Sequence, residues 1–234
     1  MIRIYAKDLL TLSKEQKHYL KNVMRLKKGD IFRVFNETGE FEMEMETYIC
    51  GRKMREFQTP PTKALAFVLI KPNRLSFLIE KAVELGATHL YPLTSQHCQF
   101  SHFKHERYEK IITESVEQCG RMDIPALAPL QTLKHFIESV GRHHEVCNAD
   151  RGDPKWMAAC SASARHDNTL CIPWFFGDFE GQNTTSNKEY GIIIGPEGGF
   201  SKEEIQMLRI YTTGIKLHEN ILRAETAALK GLTL

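Results

Sequence analysis

The chain has 234 residues and a mass of 26.9 kDa, room for one large domain or two modest ones whose core needs no disulfide or metal staple. With 31 basic residues against 29 acidic ones the net charge is +2, so the chain is no polycation and any affinity for nucleic acid must reside in local patches. The longest apolar run, Ala64–Ile70, is far short of the roughly 20 residues of a membrane helix, and the opening MIRIYAKDLL lacks the layout of an export signal. A membrane or secreted protein is therefore not expected. Six scattered cysteines without a C-x-x-C pair read as reduced thiols, and the expected location is cytoplasmic.

In chain order, Ile2–Tyr5 reads as a strand, followed by a short helix for which Ser13 and Gln16 supply a capping box. Ile31–Phe35 and the alternating stretch Phe41–Ile49 predict a hairpin turned at Asn36–Gly39. A small β-barrel of about 60 residues fits this pattern. Pro60 and Pro61 then break the chain, and strands alternate with helices. Ala64–Ile70 is a buried strand; Leu75, Leu78, Ile79, Ala82 and Leu85 recur at helical spacing with Gly86 as a stop; His89–Leu93 is a strand. Tyr108, Ile111, Ile112, Ser115, Val116 and Cys119 share a helix face ended by Gly120, and Leu133, Phe136, Ile137 and Val140 mark a short helix. Glu145–Cys147, Leu170–Phe176 and Gly191–Ile194 read as strands, and Gln182–Lys188 as a surface loop. This alternation predicts a mainly parallel sheet with helices on both faces.

Three segments carry candidate chemistry. Ile192-Ile193-Ile194 runs into Gly195-Pro196-Glu197-Gly198-Gly199 and then a helix capped by Ser201 with Glu204. Glycines at a strand-to-helix junction let the backbone approach a ligand, and ligands of open α/β sheets sit at carboxyl ends of strands. Neither a P-loop nor G-x-G-x-x-G is present, and Glu197, Glu203 and Glu204 oppose a phosphate there. A phosphate-poor, partly cationic molecule such as S-adenosylmethionine suits the loop better. The second segment is Leu217-His218-Glu219-Asn220-Ile221-Leu222-Arg223-Ala224-Glu225, in which a strand at Ile215–Leu217 leads to a helix from Arg223. The third is the helix after Ser13, where Lys14, Lys17, His18, Lys21 and Arg25 line one face and Leu20, Val23 and Met24 the other; such a stripe is the footprint of RNA binding. His97, Cys98, His102 and His105 match no zinc spacing, so no metal is expected.

The motifs Ile194-Gly195-Pro196-Glu197-Gly198-Gly199-Phe200-Ser201 and Leu217 to Ala227 resemble the RsmE family, the bacterial 16S rRNA uridine-N3 methyltransferases of the SPOUT superfamily. His18 with Val23-Met24-Arg25-Leu26 and Gly29-Asp30, Lys81-Ala82-x-Glu84-Leu85-Gly86, and Glu117-Gln118-x-Gly120-Arg121 are similar to further family signatures. The resemblance implies a PUA-like β-barrel RNA-binding domain over residues 1–62. It further implies an α/β SPOUT methyltransferase domain with a C-terminal trefoil knot over 63–234, acting as a homodimer on 16S rRNA of the small ribosomal subunit. Knot loops at Phe176–Gly181, Gly195–Gly199 and Leu217–Leu222 would hold S-adenosylmethionine, through Ile194, Gly195, Pro196, Glu197, Gly198, Gly199, Leu217, Asn220, Ile221 and Leu222. Arg223 would stabilise a uridinate anion, with Glu225 as base or as the residue that orients Arg223. RNA contacts would come from Lys14, Lys17, His18, Lys21, Arg25 and Arg121. His218 stands where the family has Gly, Asn220 and His97 where it has Arg, and Glu80 where Gln is common. Two other readings are a SPOUT methyltransferase acting on another RNA and a non-catalytic RNA-binding assembly factor.

Overall fold

The computed structural model describes residues 1–9, 11–149, 172–182 and 188–234. Two compact units emerge. One comprises Met1–Pro60 with Lys110–Ile124, the other Pro61–Glu109 with Pro125–Leu234. The chain thus passes between them at the Pro60-Pro61 break and also at two later points, which a single cut near residue 62 does not anticipate.

The first unit holds β1 (Arg3–Tyr5), α1 (Lys14–His18), β2 (Ile31–Asn36), β3 (Gly39–Glu44) and β4 (Cys50–Arg55) in a four-stranded sheet of order β1-β2-β3-β4. Strand β1 runs parallel to β2, and the β2–β3 hairpin turns at Asn36–Gly39 as its sequence predicts. Its core is Ile4, Leu12, Leu20, Phe32, Val34, Met43 and Met45. The period-2 pattern stops counting at Met45: Glu46 and Tyr48 take φ of 76° and 51°, which turns the chain into β4, a strand that alternation did not reveal. Helix α1 has the Ser13–Gln16 capping box, but it ends at His18 and continues as a π turn over Tyr19–Val23. Wider winding rotates the later positions, so Leu20 is buried while Val23 and Met24, expected inside, are 59% and 37% exposed.

A buried carboxylate organises this unit. Glu40, 2% exposed, accepts from Arg3 Nε at 2.5 Å and lies 3.4 Å from Arg55 Nε. Arg3 also donates to the carbonyls of Val116, Glu117 and Arg121, and Arg55 to that of Gly120 at 2.6 Å. These carbonyls end α3 (His105–Cys119), where cations are favoured and acceptors lack intrahelical partners.

In the second unit, β5 (Lys63–Val68), β6 (His89–Thr94), β7 (Ala126–Leu127), β8 (Gln131–Thr132), β9 (Trp174–Gln182), β10 (Tyr190–Ile194) and β11 (Thr213–Ile215) form one sheet. Its order is β11-β9-β10-β5-β6-β7, with β8 also on β6 and every pairing parallel. Alternate residues feed two cores, so Ala64, Ala66, Val68, Tyr91, Trp174 and Ile193 pack with α4 (Leu133–Ala149) and with Leu208 of α5 (Lys202–Tyr211). On the opposite face Ile192 meets Gly231 of α6 (Ala224–Gly231), which packs on α2 (Pro72–Glu84). Helices therefore cover both faces, as alternation implies. Three expectations change. Glu145–Cys147 is helical, because α4 extends the period begun at Leu133. Phe176–Gly181 is strand rather than loop: β9 runs to Gln182, with Phe176 opposite Gly214 and Gln182 opposite Ile215 across a register shift in β11. The strand expected at Ile215–Leu217 ends at Ile215. Leu170, Cys171 and most of the Gln182–Lys188 loop lie outside the described residues.

Candidate active site

Because β5, β6, β9 and β10 are parallel, their carboxyl ends open on one edge of the sheet, and the sequence places glycines there. After β10, Gly199 N–H donates to Pro196 O at 2.9 Å, closing a turn in which Gly199 has φ +72°. A Cβ at Gly195 would stand 3.1 Å from the Phe200 ring, and one at Gly198 3.2 Å from His97 Cβ. A Cβ at Gly177 would stand 3.2 Å from Leu217 Cδ1 and 3.7 Å from Ile194 Cδ1. Ile194 and Leu217, assigned to one pocket by sequence, are therefore neighbours, and Gly177 is the residue between them that sequence reasoning did not single out.

The turn is fixed from below. Ser201 caps α5, and Glu204 returns the bond: its Oε2 accepts from Ser201 N–H and its Oε1 from Gln96 N–H, both at 2.8 Å. Glu204 is 7% exposed, so one buried carboxylate ties the loop after β6 to the loop after β10. His97 Nδ1 lies 3.2 Å from Gly199 O, so a proton on that nitrogen would donate to the carbonyl. At the same helix start, hydrogen bonds from the Glu203 backbone and the Ser201 hydroxyl hold the Glu203 carboxyl below its usual range.

The 217–223 segment is a compact turn. His218 Nδ1 accepts from Asn220 N–H at 3.0 Å, so the residue that departs from the family pattern supplies a bond to this loop. Leu217 and Leu222 are half-buried, Asn220 is exposed, and Ile221 is 88% exposed; the Ile221 side chain is thus not drawn into the cluster of Ile194, Leu217 and Gly177. Arg223 is the N-cap of α6 with an exposed guanidinium, and no hydrogen bond or ion pair engages it among the described residues.

Glu225, in the first turn of α6, is 13% exposed. Its Oε1 faces Arg74 Nε at 3.8 Å, and its Oε2 is buried with no hydrogen-bond partner. Arg74 also reaches Glu197 Oε1 from Nη1 at 3.7 Å. Arg74 lies in the first turn of α2, just beyond the carboxyl end of β5. No motif marks Arg74 in the sequence, although a cation in the first turn of a helix opposes the helix dipole and is for that reason a signal.

In the first unit, Lys14, Lys17, His18, Lys21 and Arg25 are all exposed, but they do not share one regular helix face: Arg25 lies beyond the π turn with φ 56°. Lys17 Nζ stands 4.7 Å over the Tyr48 ring. Arg121 differs, being 14% exposed and forked onto Asp123, where it supports its own turn. The histidine and cysteine cluster does not assemble. Cys98 Sγ donates to Phe100 O at 3.0 Å, His105 Nε2 lies 3.2 Å from Leu127 O, and no group of three metal-ligating side chains forms among the described residues. No helix of the described residues is long and apolar enough to cross a membrane.

Comparison with known proteins gives this geometry a family. Residues 58–234 match the RNA methyltransferase domain family and residues 12–46 the RNA methyltransferase PUA domain family. A ribosomal RNA small subunit methyltransferase E from Rickettsia conorii is 31% identical over 225 residues, covering 92% of this chain and 84% of that protein. One of the same name from Buchnera aphidicola subsp. Schizaphis graminum is 28% identical, covering 99% and 94%. Among solved structures, a methyltransferase from Legionella pneumophila in complex with S-adenosylmethionine has a TM-score of 0.77 at 23% identity, covering 100% of this chain and 96% of that one. A ribosomal RNA small subunit methyltransferase E from Neisseria gonorrhoeae, bound to S-adenosyl methionine, has a TM-score of 0.74 at 20% identity, covering 100% and 95%. The strand ends with their glycine turns and the PUA-matching first unit thus have one common explanation: the chain belongs to the RsmE family of RNA methyltransferases.

Proposed function

We propose that this protein methylates a uridine of 16S rRNA in the small ribosomal subunit at N3, with S-adenosylmethionine as methyl donor. The observation that carries the reading is the arrangement at the sheet edge. Gly177 lets the Ile194 and Leu217 side chains close on the backbone of β9, an Arg223 with no partner among the described residues opens α6, and the buried Oε2 of Glu225 in the first turn of that helix lacks a donor. These residues fit S-adenosylmethionine. Glycine turns admit a ligand against the backbone, and the carboxylate of Glu197 suits a sulfonium cation better than a phosphate. Ile194, Gly195, Pro196, Gly198, Gly199, Leu217, Asn220 and Leu222 would hold it with Glu197, and Ile221 through its backbone.

When bound, the cofactor supplies an electrophilic methyl group. Everything else falls to the protein. Uracil N3 carries a proton, so the nucleophile is the uridinate anion, and Glu225 Oε2 accepts the proton. Arg223, always cationic, stabilises the charge that spreads to O2 and O4. Holding two reactants at attack distance supplies up to about 7–11 kcal/mol of the barrier reduction. The base must be single-stranded or turned out of its stack to reach this edge. Lys14, Lys17, His18, Lys21 and Arg25 form the basic surface for the RNA backbone. The same reading takes residues 1–62 as the RNA-binding domain, 63–234 as a trefoil-knotted SPOUT domain, and the working form as a cytoplasmic homodimer.

The test incubates the full chain with labelled S-adenosylmethionine and unmodified small subunits beside naked 16S and 23S rRNA, then identifies the digested nucleosides by mass spectrometry. 3-Methyluridine in 16S rRNA supports the reading; a methyl group on another RNA, or none, overturns it. Arg223→Ala should abolish transfer while leaving cofactor binding intact, and loss of cofactor binding would move Arg223 into the pocket.

A further inference from the structure

Arg74 is the least expected residue at this edge. It occupies the first turn of α2, the positive end of the helix, where a cation is disfavoured. Two carboxylates from different elements compensate it, Glu197 in the turn after β10 at 3.7 Å and Glu225 in the first turn of α6 at 3.8 Å. Both distances exceed a hydrogen bond, so the guanidinium acts as a charge set between the two groups rather than as a fork closed on either. The three residues come from three loop-to-helix junctions, and α2 packs on α6, which fixes the backbones on either side of the arginine.

The two arms differ in exposure. Glu197 is 44% exposed and Glu225 13%, so solvent screens the first arm more than the second. On the buried arm the arginine faces Glu225 Oε1 and leaves Oε2 buried and unpartnered. A carboxylate with one oxygen set against a cation and the other without a donor is oriented for a donor that arrives with a ligand, and the N3–H of a uracil is such a donor.

We propose that Arg74 is a positioning residue for methyl transfer: it orients the Glu225 carboxylate so that Oε2 meets the proton of the incoming base. It also couples that carboxylate to the Glu197 turn. This rests on the reading of Glu225 as the proton acceptor, and it assigns to α2 a part in the reaction that neither signature motif contains. Arg74 touches neither reactant, so its loss acts on geometry at Glu225 and reaches cofactor binding only through the exposed arm.

The experiment uses the full chain as wild type, Arg74→Gln, Arg74→Lys, Glu225→Gln and the two double variants with Glu225→Gln. S-Adenosylmethionine binding is measured by calorimetry and transfer to small subunits as single-turnover rates at saturation. The expected result is cofactor affinity within about threefold of wild type in Arg74→Gln, with a rate lower by about 10- to 100-fold, the scale of a misplaced reacting group. Arg74→Lys should recover part of the rate, since it keeps the charge but not the planar fork. In the Glu225→Gln background both Arg74 substitutions should change the residual rate by less than about threefold, because the group being positioned is gone. Equal losses in both backgrounds, or a rate within about twofold of wild type in Arg74→Gln, would overturn the proposal. If Arg74→Gln does not fold, the lysine pair alone gives the same comparison. A wild-type protein that forms no 3-methyluridine would instead sink the parent reading.

Discussion

Glu204 offers the sharpest test of how this edge is held. Its carboxylate accepts from Ser201 N–H and Gln96 N–H at 2.8 Å each, from a site 7% exposed. Glu204→Ala leaves both amide donors without their acceptor. At about 1.5–3 kcal/mol for each charge-assisted bond, the second unit should lose roughly 3–6 kcal/mol, a fall in Tm of roughly 6–24 °C for a chain of this size. Glu204→Gln keeps one carbonyl oxygen but turns an amide donor toward the other N–H, so about 2–3 kcal/mol should go. Trp174 is buried in the second unit, and urea titration followed by tryptophan fluorescence reads its surroundings. Because the bond to Gln96 joins two ligand-side loops, cofactor affinity should fall with it. A loss below about 1 kcal/mol in both variants would refute the clamp: the buried carboxylate would then not hold the two loops together.

Other outcomes follow from single contacts. A Cβ at Gly191 would stand 2.3–2.5 Å from three ring carbons of Trp174, so Gly191→Ala should cost at least about 1–3 kcal/mol and change the near-UV circular dichroism; an unchanged spectrum and stability would contradict the packing. Burial raises the Glu117 carboxyl above its ordinary value, against the bond from Tyr5 N–H and the charge of Arg3. A folded-state value above the unfolded one favours the protonated form, so this contribution is present at low pH and is lost as pH rises through the raised value. Glu117→Gln, which keeps an acceptor for Tyr5, should therefore gain on wild type in urea midpoint between pH 4 and 8, and a flat difference would refute the sign. Lys17→Glu with Lys21→Glu should weaken rRNA binding and reduce the salt slope by about 0.7–0.9 for each phosphate contact removed. An unchanged slope would take that surface out of the RNA interface.

The sequence was legible where one local rule decides. Ser13 with Gln16 and Ser201 with Glu204 cap their helices as written, and Gly86 and Gly120 stop theirs with φ near +90°. The run Tyr190–Ile194 is buried at every position, as a central parallel strand requires. Legibility failed where distant partners decide. Strand β4 exists because Glu46 and Tyr48 adopt positive φ, which no alternation announces. The π turn after α1 undid the helical phase that placed Val23 and Met24 inside. At the site, the motif residues Ile194 and Leu217 are brought together, but Gly177, which lies against both, and Arg74, which lies between Glu197 and Glu225, come from β9 and α2. Their role depends on which strand ends are neighbours, and strand order is not written in the spacing.

The carbonyls that Arg3 and Arg55 seek also bear on how the chain is made. Arg55 finds Gly120 O 65 residues later, and Arg3 finds Arg121 O 118 residues later. Between them the ribosome must first deliver β5, α2 and β6, which belong to the other unit. At roughly 5–20 residues per second, the wait from Arg55 to Gly120 is about 3–13 s. During that interval the buried Glu40 already has its arginines, but the arginines lack the helix end that completes their bonding. The N-terminal module is thus the first to be started but cannot be finished until the chain has reached Ile124, and a nascent chain cut at the Pro60-Pro61 break would carry an unfinished module.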